Sequence, residues 1–288
     1  MAARPPLRLA RRVGELDPAD PWGHWDRVGV DVRAHIEESL PDDWDWKGKR
    51  ALDFGCGPGK VLTHFQPEAT SGSEFWGCDI DRPSIRWAES NLDPSFHPFV
   101  VEPLPPMPRP DGFFDLIWAA SVFTHLNEEW APWLAELHRV LADDGLLMIS
   151  VLGAGIWPAI AEGQWESERT GMCALRPGQP WSLGGPMVFH SEWWIREHWG
   201  RGFEIVKLET GDEPTTHGWV VLRKRNVAID AAEFERLGDD PRELDALRYN
   251  LEQLYAEDRR LRPRYLALTA RRPLLEARWW LRRARSLF

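Results

Sequence analysis

Leu52-Asp53-Phe54-Gly55-Cys56-Gly57-Pro58-Gly59 is the stretch on which the fold turns. Ala51 to Phe54 is apolar except for one aspartate, and Lys49 and Arg50 set the start of this strand at the surface. Gly55, Gly57 and Gly59 carry no Cβ, so the backbone can enter positive φ and a ligand can approach the main chain closely. Pro58 stiffens the turn, and a helix expected over 59–65 aims its N–H groups and positive dipole end at the loop. A strand that breaks into such a loop and then starts a helix is the layout of a nucleotide site. The carboxylate of Asp53 would oppose a pyrophosphate there and accept a cationic ligand.

A second short apolar strand, Phe75-Trp76-Gly77-Cys78-Asp79-Ile80-Asp81, follows and ends in an acid. In doubly wound sheets an acid at this distance from the glycine loop hydrogen-bonds ribose hydroxyls, which selects Asp79. Asp81 is expected to cap the helix over 83–92. The spacing here is G-x-G-x-G, with Lys60 where the third glycine of the dinucleotide fingerprint belongs, so a nicotinamide-dependent oxidoreductase is the poorer reading. Phe54 stands where the first glycine of a P-loop would be, which argues against that motif too.

The rest of the chain alternates in the same way. An N-terminal helix is expected over 24–40, with Trp25, Val28, Val32 and Ile36 at helical spacing. Strands are expected at 50–54, 75–79, 97–101, 113–119 and 145–152, with helices at 83–92 and 130–141 between them. A helix at 191–199 and strands at 203–209 and 218–224 complete the series. This order predicts an α/β fold with a mostly parallel sheet covered on both faces. Three parts follow: an N-terminal helical cap (1–47), a central domain (48–225) with a lid-like insertion at 153–188, and a helical extension (226–288).

With these elements placed, Leu52 to Gly59 resembles motif I of the class I S-adenosylmethionine-dependent methyltransferases. Pro110-Asp111-Gly112-Phe113-Phe114-Asp115-Leu116-Ile117-Trp118 resembles the fourth strand of that family and its approach. Trp133 to Leu141, followed by Ala142-Asp143-Asp144-Gly145-Leu146-Leu147-Met148-Ile149-Ser150, resembles its next helix, turn and fifth strand. The likeness covers roughly 48–224 and is nearest to a bacterial subgroup with Ser121-Val122-Phe123-Thr124-His125-Leu126 after the fourth strand, a group associated with cell-surface glycan clusters. It implies a Rossmann-like, seven-stranded sheet with an antiparallel last strand and S-adenosylmethionine as cofactor. It also implies that Asp53, Gly55, Cys56, Gly57 and Gly59 hold the methionine part, with Asp79 on the ribose, Ile80 on the adenine face, and Ala120 and Ser121 at the pocket rim. The family commonly places an acid after the third strand; here a proline holds that position, and adenine contact falls to the backbone or to Glu102.

The reaction implied is in-line displacement of a methyl group from a sulfonium, in which holding donor and acceptor collinear does most of the work. The expected acceptor is an oxygen of a glycan or small metabolite, and such a hydroxyl needs a base. His125 is the first candidate, because it follows the carboxyl end of the fourth strand; its alternative role is to hydrogen-bond the helix start near Asn127. His190 and His217 are further acceptor-side candidates, with helix capping and a place at the sheet rim as their structural alternatives. Trp157, Trp165 and Trp181 lie in the insertion, where aromatic faces would stack on an acceptor or hold the loop together. Asp143-Asp144-Gly145 reads as a turn, and no metal site is expected.

Charge is unevenly distributed. The net charge is −10, yet 259–288 holds ten arginines and one acid, about +9 against about −19 for the remainder. Leucines and tryptophans interleave with those arginines, as in a helix on an anionic membrane surface, or one packed on the acidic body or on a second subunit. Leu237, Leu244, Leu247, Leu251 and Leu254 line one helical face in 231–261, which favours a homodimer through C-terminal helices. The acidic body disfavours nucleic acid as a partner. Neither a secretory signal pattern nor an apolar run of membrane-spanning length is present, and Cys56, Cys78 and Cys173 are too scattered for a disulfide framework, so cytoplasmic residence is expected, with possible contact at the membrane face. A non-catalytic scaffold recruited by the tail is the other alternative.

Overall fold

The computed structural model describes residues 3–161, 164–181, 184–213, 217–253, 255 and 259. The basic segment 260–288, on which the membrane expectation rests, lies outside the described residues, as does Leu254.

Strands β1 (Arg50–Phe54), β2 (Glu74–Asp79), β3 (Phe96–Val100), β4 (Phe114–Ala119), β5 (Leu141–Val151), β8 (Phe203–Glu209) and β9 (Gly218–Lys224) form one sheet in the order β3-β2-β1-β4-β5-β9-β8. The first five run parallel, and β9 is antiparallel to both β5 and β8. This is the α/β fold expected from the alternation, and its seven strands with an antiparallel last strand are those that the resemblance implied. The order reverses beside β1 and β4, which puts a crevice at the carboxyl ends of those two strands.

β1 is buried along Ala51 to Phe54 without polar alternation, as befits a strand covered on both faces. One face packs Leu52, Phe54 and Ile117 against Trp133 and Leu137 of α5 (Trp130–Val140) and Trp194 of α7 (Glu192–His198). The other packs Ala51, Phe75 and Trp118 against Phe65 and Ile36 of α2 (Pro21–Glu38). Asp20 caps α2 by accepting from Gly23 N at 2.9 Å, and Asp81 caps α4 (Arg82–Asn91) by accepting from Ser84 N at 3.1 Å.

Several boundaries differ from the expected ones. The helix expected over 59–65 is a 3₁₀ turn, Leu62–Phe65, followed by α3 (Gln66–Thr70). Pro67 lacks the N–H that would bond back to Thr63, so the two cannot merge into one α-helix. The turn expected at Asp143-Asp144-Gly145 is absorbed into β5, with Asp144 at φ 58° and a register shift opposite Phe114/Leu116. The insertion has structure of its own: α6 (Trp157–Ile160) and an antiparallel pair of β6 (Met172–Leu175) with β7 (Met187–His190). The expected helical stretch 231–261 breaks after α8 (Ala231–Glu235) and resumes as α9 (242–253), because Gly238 and Pro241 interrupt it. At the N-terminus a short helix, α1 (Leu7–Ala10), continues as a 3₁₀ turn over Arg11–Val13.

The C-terminal extension packs on the body through Phe234, Ala246 and Tyr249, and a buried histidine ties it down. His198 of α7 contacts Phe234 O at 2.7 Å through Nδ1 and Glu243 Oε1 at 2.9 Å through Nε2, and its ring stacks on Trp194. Among the described residues no helix is long and apolar enough to cross a membrane.

Candidate active site

The glycine loop is stapled to the end of β2. Gly55 N and Cys56 N both donate to Cys78 O, at 2.8 and 3.0 Å, while Gly57 N donates to Asp79 Oδ2 at 2.8 Å. Asp81 N donates to the other oxygen of Asp79 at 2.7 Å. Asp79 therefore shapes the loop, and it keeps lone pairs for ribose hydroxyls. Burial raises its carboxyl above the ordinary value, and the two N–H donors pull it back down. Two glycines are required by position: Gly55 at φ 83° and Gly57 at φ 53°, where an added Cβ would stand 2.4 Å from Val122 and 2.2 Å from Val13. Cys56 takes part through its backbone only; its buried side chain packs on Gly77, where a Cβ would stand 2.8 Å from the sulfur.

Asp53 is 2% exposed, and its Oδ2 has no hydrogen-bond partner among the described residues. Burial pushes its carboxyl up to about 7, and the charge of Asp79 pushes the same way. Ile80 is an exposed isoleucine beside Asp79, as an apolar base would require. Glu102 is exposed and ion-paired with Arg82, and that pair would have to break before it reached a ligand. Ala120 packs on the core face that holds Trp118. Ser121 follows it at φ 60° and donates its N–H to Ser150 Oγ at 2.6 Å.

His125 stands where the order of the chain places it, past the end of β4. Its Nδ1 faces Pro186 O at 2.7 Å, which makes Nδ1–H the donor and leaves Nε2 without a hydrogen bond among the described residues. Burial lowers its pKa, so the ring is neutral at pH 7. The half-buried His217 arrives from the start of β9, with Nδ1 3.4 Å from Ser150 Oγ. Burial lowers its pKa first, followed by the charges of His125 and Lys60, so the three groups share one electrostatic neighbourhood. Two imidazoles, His125 and His217, and the hydroxyl of Ser150 thus lie near the carboxyl ends of β4 and β5.

Three expected acceptor contacts are corrected. Trp157 is 1% exposed and packs on Trp165 and Phe189, with ring centroids 5.3 and 4.9 Å away. Trp165, half-buried, closes the same cluster on Phe189, so both hold the insertion together, as its burial of aromatic surface demands. His190 is sealed among Trp194 and Trp199, 2% exposed, with neither ring nitrogen bonded. It neither faces an acceptor nor caps α7. Trp181 is the insertion tryptophan that reaches the site: it is 38% exposed and meets the His125 ring edge-on at 5.9 Å.

The N-terminal segment closes over this site, which the sequence did not reveal. Val13 lies against Gly57, Arg12 Nε is 3.7 Å from Asp81, and Arg12 donates to Trp181 O at 3.4 Å. Lys60 donates to Val13 O at 2.6 Å. No cluster of residues able to hold a metal ion occurs among the described residues.

Comparison with known proteins agrees with the geometry. Residues 52–149 match a family described as a methyltransferase domain, a class whose donor is S-adenosylmethionine. The chain is 31% identical over 124 residues to a probable tocopherol O-methyltransferase of rice, covering 40% of this chain and 33% of that one. It is 32% identical over 111 residues to a malonyl-[acyl-carrier protein] O-methyltransferase of Geobacter sulfurreducens, covering 37% and 39%. The matched stretch thus spans about a third to two-fifths of those relatives. Among solved structures, a chain of the Haloferax volcanii complex between the Trm112 methyltransferase activator and a methyltransferase superposes with TM-score 0.50 at 16% identity, over 73% of this chain and 97% of that one. The orphaned Asp53 oxygen, the glycines that bring the main chain close, and the exposed Ile80 fit the donor named by this class.

Proposed function

We propose that the chain transfers the methyl group of S-adenosylmethionine to an oxygen of a glycan or small-metabolite acceptor, with His125 as the base. When bound, the donor supplies an electrophilic methyl carbon on a positively charged sulfur. The loop Gly55–Gly59, with Asp53 and Asp79, binds and orients it, and Ala120 and Ser121 form the rim facing the acceptor. His125 takes the acceptor proton at Nε2.

One observation carries the reading: a neutral imidazole at the carboxyl end of β4 whose Nδ1 is tied to Pro186 O, so that the free lone pair is on Nε2. A hydroxyl or a protonated amine needs such a group, whereas an acceptor that arrives as a thiolate does not. The two curated relatives are both named O-methyltransferases, which favours an oxygen acceptor. Trp181 offers an exposed aromatic face beside the base, suited to stacking on a sugar or an apolar ring. The glycine spacing and the methyltransferase match leave the nicotinamide alternative without support.

The test is transfer of labelled methyl from S-adenosylmethionine to a panel of sugars and small hydroxylated metabolites, with an Asp79→Ala variant beside the native protein. Label on an acceptor oxygen, lost in the variant, supports the reading; transfer only to nitrogen or carbon sinks it. Exposed Leu244, Leu247 and Leu251 on one face of α9 support a homodimer through the C-terminal helices, and a monomer in analytical ultracentrifugation would remove that part of the proposal.

A further inference from the structure

Lys60 is a half-buried cation with no acid at ion-pair distance among the described residues. Its ammonium has three donors and makes one hydrogen bond among the described residues, to Val13 O at 2.6 Å, with the Trp25 ring 5.7 Å away. The nearest electrostatic counterpart is Asp53, which is itself buried with a free oxygen. Burial lowers the lysine to about 8 while Asp53 holds it up. Burying two opposite charges without letting them pair is costly, since each loses hydration and neither regains a full partner. Such an arrangement persists where a ligand completes it.

We infer that Lys60 anchors the carboxylate of the donor's α-amino-acid end, while Asp53 receives its ammonium, so that the two form a split clamp for a zwitterion. The inference rests on the reading of this site as an S-adenosylmethionine site and adds to it the residue that selects the amino-acid end. Lys60 is suited to this by position: it follows Gly59 directly, and its ammonium holds Val13 O while the Val13 side chain lies against Gly57 of the loop. Two of its donors are free for a carboxylate while the third keeps Val13 in place. Asp53, near the end of β1, is its electrostatic counterpart and has an Oδ2 with no hydrogen-bond partner among the described residues. A pyrophosphate would satisfy Lys60 and repel Asp53; a lone amine would do the reverse. A zwitterion satisfies both.

The experiment is calorimetric titration of the native protein and of Lys60→Met and Lys60→Arg with two ligands, S-adenosylhomocysteine and 5′-methylthioadenosine. The second has the same nucleoside and thioether but no amino-acid end. Lys60→Met is expected to weaken the homocysteine ligand by about tenfold or more and leave methylthioadenosine unchanged, with Lys60→Arg recovering most of the loss. Unchanged binding of both ligands in Lys60→Met overturns the inference. Equal weakening of both does so as well, because Lys60 would then only be holding Val13 over the loop. If the native protein binds neither ligand, the donor reading itself fails and this inference falls with it; that outcome is distinguished by the native titration alone.

Discussion

Ser150 Oγ accepts the main-chain N–H of Ser121 at 2.6 Å, and this one bond joins the carboxyl end of β5 to the loop after β4. Ser121 sits at φ 60°, a conformation that costs a non-glycine residue about 1 kcal/mol or more and that its surroundings must hold. With its lone pair given to Ser121, the hydroxyl proton of Ser150 is left for Nδ1 of His217, 3.4 Å away, which would put the ring hydrogen on Nε2. Ser150 thus positions both the pocket rim and the second histidine.

Ser150→Ala is therefore expected to lower kcat by about tenfold, since it removes the bond that holds Ser121 at its positive φ, a net interaction of about 1 kcal/mol. Binding of S-adenosylhomocysteine should change little, because the glycine loop and Asp79 are held by other bonds. Steady-state rates and calorimetry on the same preparation check both halves. Equal kcat in the variant would show that the rim does not depend on this contact.

The base makes a sharper kinetic statement. His125→Gln should lower kcat by about a hundredfold or more, with donor affinity retained. Burial lowers the His125 pKa below 6.5, so the native enzyme keeps its base deprotonated at pH values where an ordinary histidine is half charged. The acid limb of the rate profile is accordingly expected below pH 6.5, and its absence from the variant's profile identifies the group.

Asp53 links function to stability. Between its ordinary 3.8 and about 7 the folded protein retains a proton that the unfolded chain has released, so stability falls as pH rises through that window. The full cost of the ionised form is on the order of 4 kcal/mol. Asp53→Asn should raise Tm at pH 8, change it little at pH 4, and weaken S-adenosylhomocysteine at both. Thermal melts across this range read the sign directly; a variant destabilised at pH 8 would contradict it.

Those predictions draw unequally on the sequence. The parallel sheet and glycine loop were legible because each rests on local rules: an unbroken apolar strand, glycines where φ must be positive, an acid at the next strand's end. The place of His125 past the end of β4 was legible from chain order. His217 was placed only at the rim, because its contact with Ser150, 67 residues earlier, arises only across the β5–β9 pairing. Trp157 and Trp181 look alike in an aperiodic stretch. Their difference comes from the pairing of β6 with β7, which packs Phe189 on the first and leaves the second beside His125. The strap of Arg12 and Val13 could not be read at all, since nothing local in those residues points to a loop more than forty positions away.

His190 shows how burial reassigns a histidine. Packed among Trp194 and Trp199 with neither nitrogen bonded, it is pushed down to about 3 by burial alone. Between 6.5 and that value the unfolded chain takes up a proton that the folded chain refuses, so stability is lost as pH falls through the window, by on the order of 4 kcal/mol in full. Replacing the ring with one that neither needs a partner nor titrates should remove this dependence. His190→Phe is expected to raise Tm at pH 5, flatten the acid side of the stability curve, and leave both donor binding and turnover unchanged. Loss of turnover at unchanged acid stability would return His190 to the acceptor site, where its neighbours in the structure do not put it.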